Sequence, residues 1–244
     1  VTAEGTTVIE NAAREPEIVQ LCQYLNQMGA SISGIGSSRI TIDGVESLHP
    51  ANIDVIPDRI EAGTFLMAGA LMGKITLTDV KPDHLDSVLL KLREVGSIIE
   101  TTSNSITIEP GQLKAVDMTT AVYPGFATDL QAQWVALMSL AKGSSFVTDT
   151  VYHDRFSHVP ELNRLGANIK VDNNTAFIRG VDDLVGAPVM STDIRASASL
   201  IIAGLVARGE TTVSRVYHID RGYERIEEKF DALGAKIVRE NTSG

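Results

Sequence analysis

The sequence has almost no cysteine. Cys22 is the only one in 244 residues, so no disulfide can form within this chain. Small secreted domains often depend on disulfides, whereas proteins of reducing compartments do not. Cys22 falls within residues 18–25, an amphipathic helical pattern, and is expected to be a small core residue. We therefore expect a cytoplasmic protein with a reduced and buried thiol.

Long hydrophobic runs and an excess of basic charge are also missing. The longest apolar runs, such as residues 200–207, are far shorter than the ~20 residues that a membrane-spanning helix needs. The formal net charge of −10 argues against a nucleic-acid-binding surface, although it leaves room for a local basic pocket. We expect neither a membrane nor a nucleic acid as a partner.

Patterns typical of metal and cofactor sites are absent from the sequence as well. The five histidines show none of the spacings that zinc ligands have. The glycine-rich stretch at residues 34–38 lies between two strand-like runs, and no helix follows it. It is therefore predicted to be a hairpin loop rather than a phosphate-binding loop. We expect no metal and no cofactor.

The sequence does contain an internal repeat. Four helical patterns end in similar motifs, whose glycines Gly29, Gly96, Gly166 and Gly234 are 67, 70 and 68 residues apart. A glycine suits the left-handed conformation that often ends a helix. A β-like run follows each motif, the fourth at residues 236–238, and the first three continue into a second β-like run. This arrangement predicts a hairpin after each of the first three helices.

A second feature recurs at the same phase of the repeat. Asp58, Asp129 and Asp193 open helical runs that are rich in small and apolar residues and carry little charge. Such helices should be buried on most sides. A glycine and a strand follow each of them, so one unit is helix, strand, amphipathic helix and hairpin, about 70 residues long. Helices buried beneath sheets predict a layered α+β fold.

Charge is concentrated in residues 192–227. Three of its five arginines and both of its aspartates lie at the start of one small-residue helix, at the end of the strand-like run that follows it, or in the loop predicted at residues 217–222. They are Asp193, Arg195, Arg215, Asp220 and Arg221. An aspartate at a helix start is explained by capping, and the other charges could be surface ion pairs. The alternative is an anion-binding cleft, because arginines bind carboxylates and phosphates through paired hydrogen bonds.

Five segments carry a resemblance to a known family: residues 13–18, 57–64, 126–133, 193–198 and 217–224. Together they resemble the UDP-N-acetylglucosamine 1-carboxyvinyltransferases, the enolpyruvyl transferases that begin peptidoglycan synthesis, and the likeness runs the whole length of the chain. The resemblance implies two inside-out α/β barrels, each a threefold repeat of a βαβαββ unit, with the active site in the cleft between them. On this mapping, residues 1–56 are the last unit of the N-terminal domain, and residues 57–244 form most of the C-terminal domain.

The resemblance also implies a reaction and a set of residues. The enolpyruvyl group of phosphoenolpyruvate passes to the 3′-hydroxyl of UDP-N-acetylglucosamine, and phosphate leaves. Asp129 matches the family aspartate that contacts this hydroxyl and is the candidate base. Arg155, Arg195 and Arg221 match arginines at the phosphoenolpyruvate end. The expected catalytic residues are Asp129, Asp193 and Arg221.

Three further residues are expected to contact the substrates. Val151 matches a position whose backbone contacts the nucleotide sugar. Arg59 and Glu15 match cleft residues of the family, and an ion pair between the two domains explains them nearly as well.

The sequence also departs from the family. The phosphate-binding lysine, the loop with a reactive cysteine and another phosphate-binding arginine would all lie upstream of Val1. Cys22 does not replace that cysteine, because its surroundings predict a helix. We expect an N-terminal segment of the same protein as a partner. We also expect this chain alone to bind sugar nucleotide weakly and to turn over poorly or not at all.

Two other functions remain open. The sister enolpyruvyl transferase that acts on shikimate 3-phosphate has the same fold, although residues 128–133 and 217–227 favour the amino-sugar enzyme. The other possibility is a truncated, non-catalytic sugar-nucleotide-binding domain. The expected absence of upstream residues supports it, whereas Asp129 and the arginines indicate that the parent protein was an enzyme.

Overall fold

The structure is a computed structural model that describes residues 1–240. The chain divides into two compact units. The first consists of Val1–Pro57 with the short stretch Val122–Gly125, and the second consists of Asp58–Ala121 and the chain from Phe126 onward. The assignment of residues 1–56 to a preceding domain remains a prediction.

The first unit contains one helix and a three-stranded antiparallel sheet. Its elements are β1 (Thr6–Glu10), α1 (Pro16–Gln27), β2 (Ser31–Ser33) and β3 (Arg39–Asp43). The sheet has β3 between β1 and β2. Cys22 of α1 packs with Ile32 and Ile40 in a small core, so the thiol is buried as expected. The glycine-rich stretch joins β2 to β3, which confirms the predicted hairpin loop.

The second unit alternates buried helices, strands and amphipathic helices. Its helices are α2 (Arg59–Met72), α3 (Asp86–Val95), α4 (Gln131–Met138), α5 (Val159–Arg164), α6 (Ile194–Val206) and α7 (Ile226–Ala232). Its strands are β4 (Ile75–Thr78), β5 (Ile98–Thr101), β6 (Ser105–Glu109), β7 (Met118–Thr119), β8 (Ser144–Thr148), β9 (Asn168–Asp172), β10 (Thr175–Arg179), β11 (Pro188–Met190) and β12 (Thr212–Ser214). Short 3-10 helices lie at Pro82–His84, Thr128–Leu130 and Val216–Arg221. The sheets have the orders β4-β6-β5, β7-β8-β10-β9 and β11-β12.

The core of the second unit is built on α2, α4 and α6, which carry almost no charge. Leu66, Met67 and Trp134 are fully buried, and so are all eight residues of α4. The three helices pack against one another, and sheet residues such as Ile106 and Ile178 join the same core. The expected α+β arrangement of buried helices and sheets is confirmed. No helix within residues 1–240 combines the length and the apolar character that a membrane span requires.

The repeat predicted from the four glycines is present in the structure. Each glycine lies within two residues of a helix end, and their φ angles lie between 91° and 112°. The predicted hairpins are β2-β3, β5-β6 and β9-β10. In two repeats an asparagine side chain bonds both backbone groups of the following strand: Asn26 with Ile32 at 2.8 and 2.9 Å, and Asn163 with Ile169 at 2.9 and 3.0 Å. These equivalent contacts fasten the helix to the strand that follows it.

Some predictions of local structure are wrong. Residues 236–238 form no strand, because a β-like sequence needs a pairing partner and no strand within residues 1–240 pairs with them. Residues 217–221 form no irregular loop but belong to the 3-10 helix Val216–Arg221. Asp129 is expected to open a helical run, but it lies within the 3-10 turn Thr128–Leu130, and the buried helix α4 begins only after that turn.

Two helix-ending glycines allow a matched test of this packing. A Cβ atom added at Gly96 would lie 2.6 Å from the carbonyl oxygen of Gln112, whereas one added at Gly166 would meet no heavy atom within 4 Å. Both substitutions carry the cost of a left-handed side chain, about 1 kcal/mol. We expect Gly166→Ala to lower the free energy of unfolding by about that amount and Gly96→Ala to lower it by clearly more. Equal losses in chemical denaturation would show that residue 112 does not pack against the end of α3.

Candidate active site

Two arginines converge on one carboxylate in the second unit. Oδ1 of Asp129 accepts a hydrogen bond from Nη1 of Arg155 and another from Nε of Arg195, both at 3.0 Å. Asp129 lies in the 3-10 turn before α4, Arg155 lies in the loop between β8 and α5, and Arg195 is in the first turn of α6. The structure thus brings three of the predicted site residues into direct contact.

The aspartates that open the three buried helices have different contacts. Asp58 caps α2 by accepting hydrogen bonds from two backbone N–H groups at 2.7 and 3.1 Å. Asp193 caps α6 in the same way at 2.8 and 2.9 Å. Asp129 makes no such cap, since α4 begins after a 3-10 turn and has no side-chain cap. The Asp129 carboxylate is therefore available to the arginines.

Both arginines and Asp129 keep unused hydrogen-bonding capacity. Within residues 1–240, Oδ2 of Asp129 accepts no hydrogen bond, and Arg195 donates only through Nε. The side chains of Asp129, Arg155 and Arg195 are 34%, 25% and 18% exposed, so solvent reaches all of them. A guanidinium has five N–H donors and a carboxylate about four acceptor positions. The cluster can therefore bind an anion through its arginines and a hydroxyl group through Oδ2.

The electrostatics of the cluster favour an ionised carboxylate. Partial burial alone would raise the pKa of Asp129, but the charges and hydrogen bonds of Arg195 and Arg155 outweigh it, and the pKa is lowered. Burial likewise opposes ionisation of Asp193, and its pKa is lowered by hydrogen bonds from the start of α6 and from Ser157. Both side chains are negatively charged at neutral pH.

Asp149, which the sequence analysis did not select, organises the loop after β8. Its buried carboxylate accepts hydrogen bonds from the hydroxyls of Thr120 and Thr128 at 2.8 and 2.6 Å. It also accepts from the backbone N–H groups of Val151 and Tyr152 at 3.0 and 2.8 Å. Since the N–H of Val151 is used here, its carbonyl is the backbone group that remains for a ligand. An aspartate directly after a strand-like run, here residues 144–148, is the signal in the sequence that could have found this residue.

A buried polar network beneath the cluster was also missed. Nε2 of Gln133 lies 3.0 Å from the hydroxyl of Thr64, 3.3 Å from that of Tyr223 and 3.3 Å from the carbonyl oxygen of Asp129. The hydroxyls of Thr64 and Tyr223 are 2.8 Å apart. The network joins α2 and α4 to the residues before α7, and so holds the turn that carries Asp129.

Asp193 is joined to the cluster indirectly. Its Oδ1 caps α6, and its Oδ2 accepts hydrogen bonds from Ser157 at 2.9 Å and from Thr192 at 3.2 Å. These contacts fix the first turn of α6, which carries Arg195. The geometry therefore gives Asp193 a positioning role, and its catalytic role stays a prediction.

The remaining predicted residues lie on other elements. Arg221 ends the 3-10 helix Val216–Arg221, is exposed, and has no hydrogen bond or ion pair with any residue in the described part of the chain. Arg59 is the first residue of α2, and Glu15 precedes α1 in the first unit. Their contacts with substrates remain predictions.

Most of the chain matches one family. The model of the family described as EPSP synthase (3-phosphoshikimate 1-carboxyvinyltransferase) covers residues 1–230. The chain belongs to the EPSP synthase family. Its membership accounts for the repeated units seen in the structure.

Curated relatives within this family carry a more specific name. The chain is 58% identical over 240 residues to the UDP-N-acetylglucosamine 1-carboxyvinyltransferase of Bdellovibrio bacteriovorus. The match covers 97% of this chain and 58% of that relative. The chain is 57% identical over 240 residues to the protein of the same name from Chloroherpeton thalassium, covering 98% of this chain and 56% of the relative. The chain thus spans less than three fifths of the length of these relatives.

Solved structures agree with the family assignment. The enolpyruvyl transferase NikO from Streptomyces tendae superposes with a TM-score of 0.86 at 29% sequence identity, over 96% of this chain and 57% of that one. EPSP synthase from Acinetobacter baumannii gives a TM-score of 0.71 at 18% identity, over 97% of this chain and 59% of that one. The second likeness concerns the fold alone. The enolpyruvyl transferase fold expected from the sequence is confirmed.

The lowered pKa of Asp129 predicts how its ion pairs respond to acid. A carboxyl whose pKa is lowered by folding stabilises the folded state above its ordinary pKa, here 3.8, and loses that contribution as the pH falls through the lowered value. We expect Asp129→Asn to destabilise the chain by a constant amount between about pH 5 and 8, and by progressively less below about pH 4. Urea denaturation at a series of pH values measures this difference.

The exposed Asp182 provides the matched control for this experiment. Asp182→Asn should leave the free energy of unfolding nearly unchanged at every pH. A loss in Asp129→Asn that does not diminish in acid would contradict an ion-pair origin.

Proposed function

We propose that the chain is the C-terminal part of a UDP-N-acetylglucosamine 1-carboxyvinyltransferase. This enzyme would transfer the enolpyruvyl group of phosphoenolpyruvate to the 3′-hydroxyl of the sugar nucleotide and release phosphate. The observation that carries the proposal is the Asp129 carboxylate, which is held through one oxygen by two arginines at 3.0 Å and leaves the other oxygen open. The names of the relatives at 58% and 57% identity support the amino-sugar acceptor over shikimate 3-phosphate.

The arginines fit the anionic donor. Phosphoenolpyruvate carries a carboxylate and a phosphate, and guanidinium groups bind both in charge-assisted pairs. Arg155 and Arg195 present unused N–H groups beside Asp129, and Arg221 is exposed with no internal partner within residues 1–240. We assign these three arginines to the donor end of the site.

Asp129 fits the acceptor hydroxyl. Its Oδ2 would accept the hydrogen bond of the 3′-hydroxyl and take its proton while the hydroxyl oxygen adds to the enolic carbon. In the same addition the methylene carbon of the donor gains one proton, which balances the proton that the hydroxyl loses. The elimination then expels phosphate and releases one methyl proton, so that the double bond is restored. Because a carboxylate is a weak base toward an alcohol, orientation of the hydroxyl supplies much of the effect.

Substrate binding would also make Asp129 a better base. The two arginines hold its pKa low in the free chain. A bound phosphoenolpyruvate anion offsets part of their charge, so the pKa of the carboxyl rises toward its ordinary value. The base is thus strengthened when the donor is in place.

The other predicted residues complete this proposal. Asp193 positions Arg195, the carbonyl of Val151 contacts the nucleotide sugar, and Arg59 and Glu15 contact the substrates. Residues 1–56 are the last repeat unit of the N-terminal domain, and an N-terminal segment supplies the rest of the site. The enzyme would act in the cytoplasm, at the first committed step of peptidoglycan synthesis.

Substitution of Asp129 tests the proposal directly. For this test the chain is joined to the N-terminal part of the Bdellovibrio relative, which gives the joined protein. Phosphate release from phosphoenolpyruvate by the joined protein is then measured in the presence of UDP-N-acetylglucosamine. Asp129→Asn should lower the rate by at least about 100-fold, the lower end of what a general base contributes. Asp182→Asn, far in sequence and exposed, should leave the rate unchanged.

Three outcomes of the same assay would overturn parts of the proposal. Release supported by shikimate 3-phosphate and not by the sugar nucleotide would make the sister enzyme the correct choice. No release with either acceptor, together with sugar-nucleotide binding measured by calorimetry, would indicate a non-catalytic binding domain. Full activity of the Asp129→Asn variant would remove Asp129 from the catalytic residues.

A further inference from the structure

A second cluster of charged side chains, centred on Arg239, lies beside Arg221 and outside the site described so far. The guanidinium of Arg239 donates to both carboxylate oxygens of Asp220, from Nη1 at 2.9 Å and from Nη2 at 2.7 Å. It also donates to both oxygens of Glu227, from Nε at 2.7 Å and from Nη2 at 3.0 Å. One side chain thus makes four charge-assisted hydrogen bonds with two carboxylates.

These contacts connect the two ends of the turn 220–227, which contains Arg221. Asp220 directly precedes Arg221, and Glu227 lies in the first turn of α7. Because the planar guanidinium fixes the direction of each bond, Arg239 ties the start and the end of the turn 220–227 to one rigid group. The side chains of Arg239 and Glu227 are only 30% and 20% exposed, although residue 239 lies in no helix or strand.

The same contacts neutralise part of the negative charge near Arg221. Four acidic side chains lie in residues 216–228. Arg239 pairs with two of them, and Arg225 pairs with Glu228 at 3.3 Å. The hydrogen bonds of Arg239 also keep the pKa of Glu227 below its ordinary range. Arg221 itself has no ion pair with any residue in the described part of the chain. Three of the four carboxylates, all but Glu224, are thus occupied by other arginines, and the Arg221 guanidinium remains available.

We propose that Arg239 is a positioning residue for Arg221. It holds the turn 220–227 and occupies Asp220 and Glu227, which would otherwise draw the Arg221 guanidinium to themselves, so that Arg221 stays open to an anionic ligand. This inference rests on the proposed function, which gives Arg221 to phosphoenolpyruvate. It adds a residue that the family resemblance did not supply.

The alternative is that Arg239 serves stability alone. Partly exposed ion pairs contribute little to stability in general, and salt screens them. A purely structural role would lower stability without changing ligand affinity in a way that depends on Arg221. A positioning role predicts a loss of ligand affinity that disappears when Arg221 is absent. A cycle of single and combined variants separates the two roles.

The test is a titration with phosphoenolpyruvate of the joined protein used for the phosphate-release assay, because that protein holds the whole proposed site; binding is followed by NMR through the backbone amide of Gly222. NMR is chosen because it detects weak binding. We expect Arg239→Ala to raise the dissociation constant about fivefold to tenfold, the loss expected when one charge-assisted contact is weakened. Arg239→Lys should rescue it only in part, since an ammonium group lacks the fork that engages two carboxylates. Arg208→Ala, which removes the surface pair with Asp183, is the matched control and should have no effect.

Two further variants identify the mechanism. In an Arg221→Ala background, Arg239→Ala should have no additional effect, because its target is gone. In an Asp220→Asn, Glu227→Gln background, Arg239→Ala should also have little effect, because the two carboxylates that Arg239 occupies are no longer there to draw Arg221 away. The same loss of affinity with and without Arg221 would overturn the inference.

The outcome also separates this inference from the proposed function. If the wild-type joined protein binds phosphoenolpyruvate and Arg239→Ala binds it equally well, only the role of Arg239 is overturned. If Arg221→Ala binds it as tightly as the wild-type joined protein, the assignment of Arg221 to the donor fails, and the role of Arg239 fails with it.

Discussion

The N–H groups in the first turn of each buried helix must be satisfied, and this constraint decides which aspartate can bind a ligand. Helices α2 and α6 use Asp58 and Asp193 as side-chain caps. Helix α4 begins after a 3-10 turn, which Gln133 supports through the carbonyl of Asp129, and so needs no cap from that aspartate. The aspartate at the same position therefore caps the helix in two of the repeats and binds the arginines in the third. Specialisation within the repeat follows from a local change in backbone geometry.

The core built on α2, α4 and α6, which carry almost no charge, makes this arrangement rigid. Since α2, α4 and α6 are buried, their first turns cannot shift without disturbing the packing of the whole second unit. Arg195 is fixed by the cap of α6, and the loop that carries Arg155 is tied down by the buried carboxylate of Asp149. The guanidinium groups thus face Asp129 before any ligand arrives. A preorganised pair of cations spends little free energy on ordering when an anion binds.

Much of the fold could be predicted from the sequence, because its signals are local. Glycine at a helix end, aspartate at a helix start and uncharged helical runs recur at a fixed spacing, and the structure has the corresponding elements. The contacts of Asp149 and the network of Gln133, Thr64 and Tyr223 join residues far apart in the chain, so no local pattern reveals them. Residues 236–238 are the opposite case, because the local pattern predicts a strand that does not form. A β-like run needs a neighbouring strand with which to pair. The resemblance pointed to Asp129, Arg155 and Arg195, whose contact the structure shows, whereas the roles of the predicted residues stay predictions.

The central claim is that the Asp129 carboxylate is an ionised group held by two arginines that also receive the donor anion. It is tested most directly by the carbon NMR titration of the Asp129 carboxyl, in the free chain and with phosphoenolpyruvate. The account predicts an apparent pKa below 3.8 in the free chain and a higher one when phosphoenolpyruvate is present. A titration curve that phosphoenolpyruvate leaves unchanged would contradict it, because the anion would then bind away from these arginines.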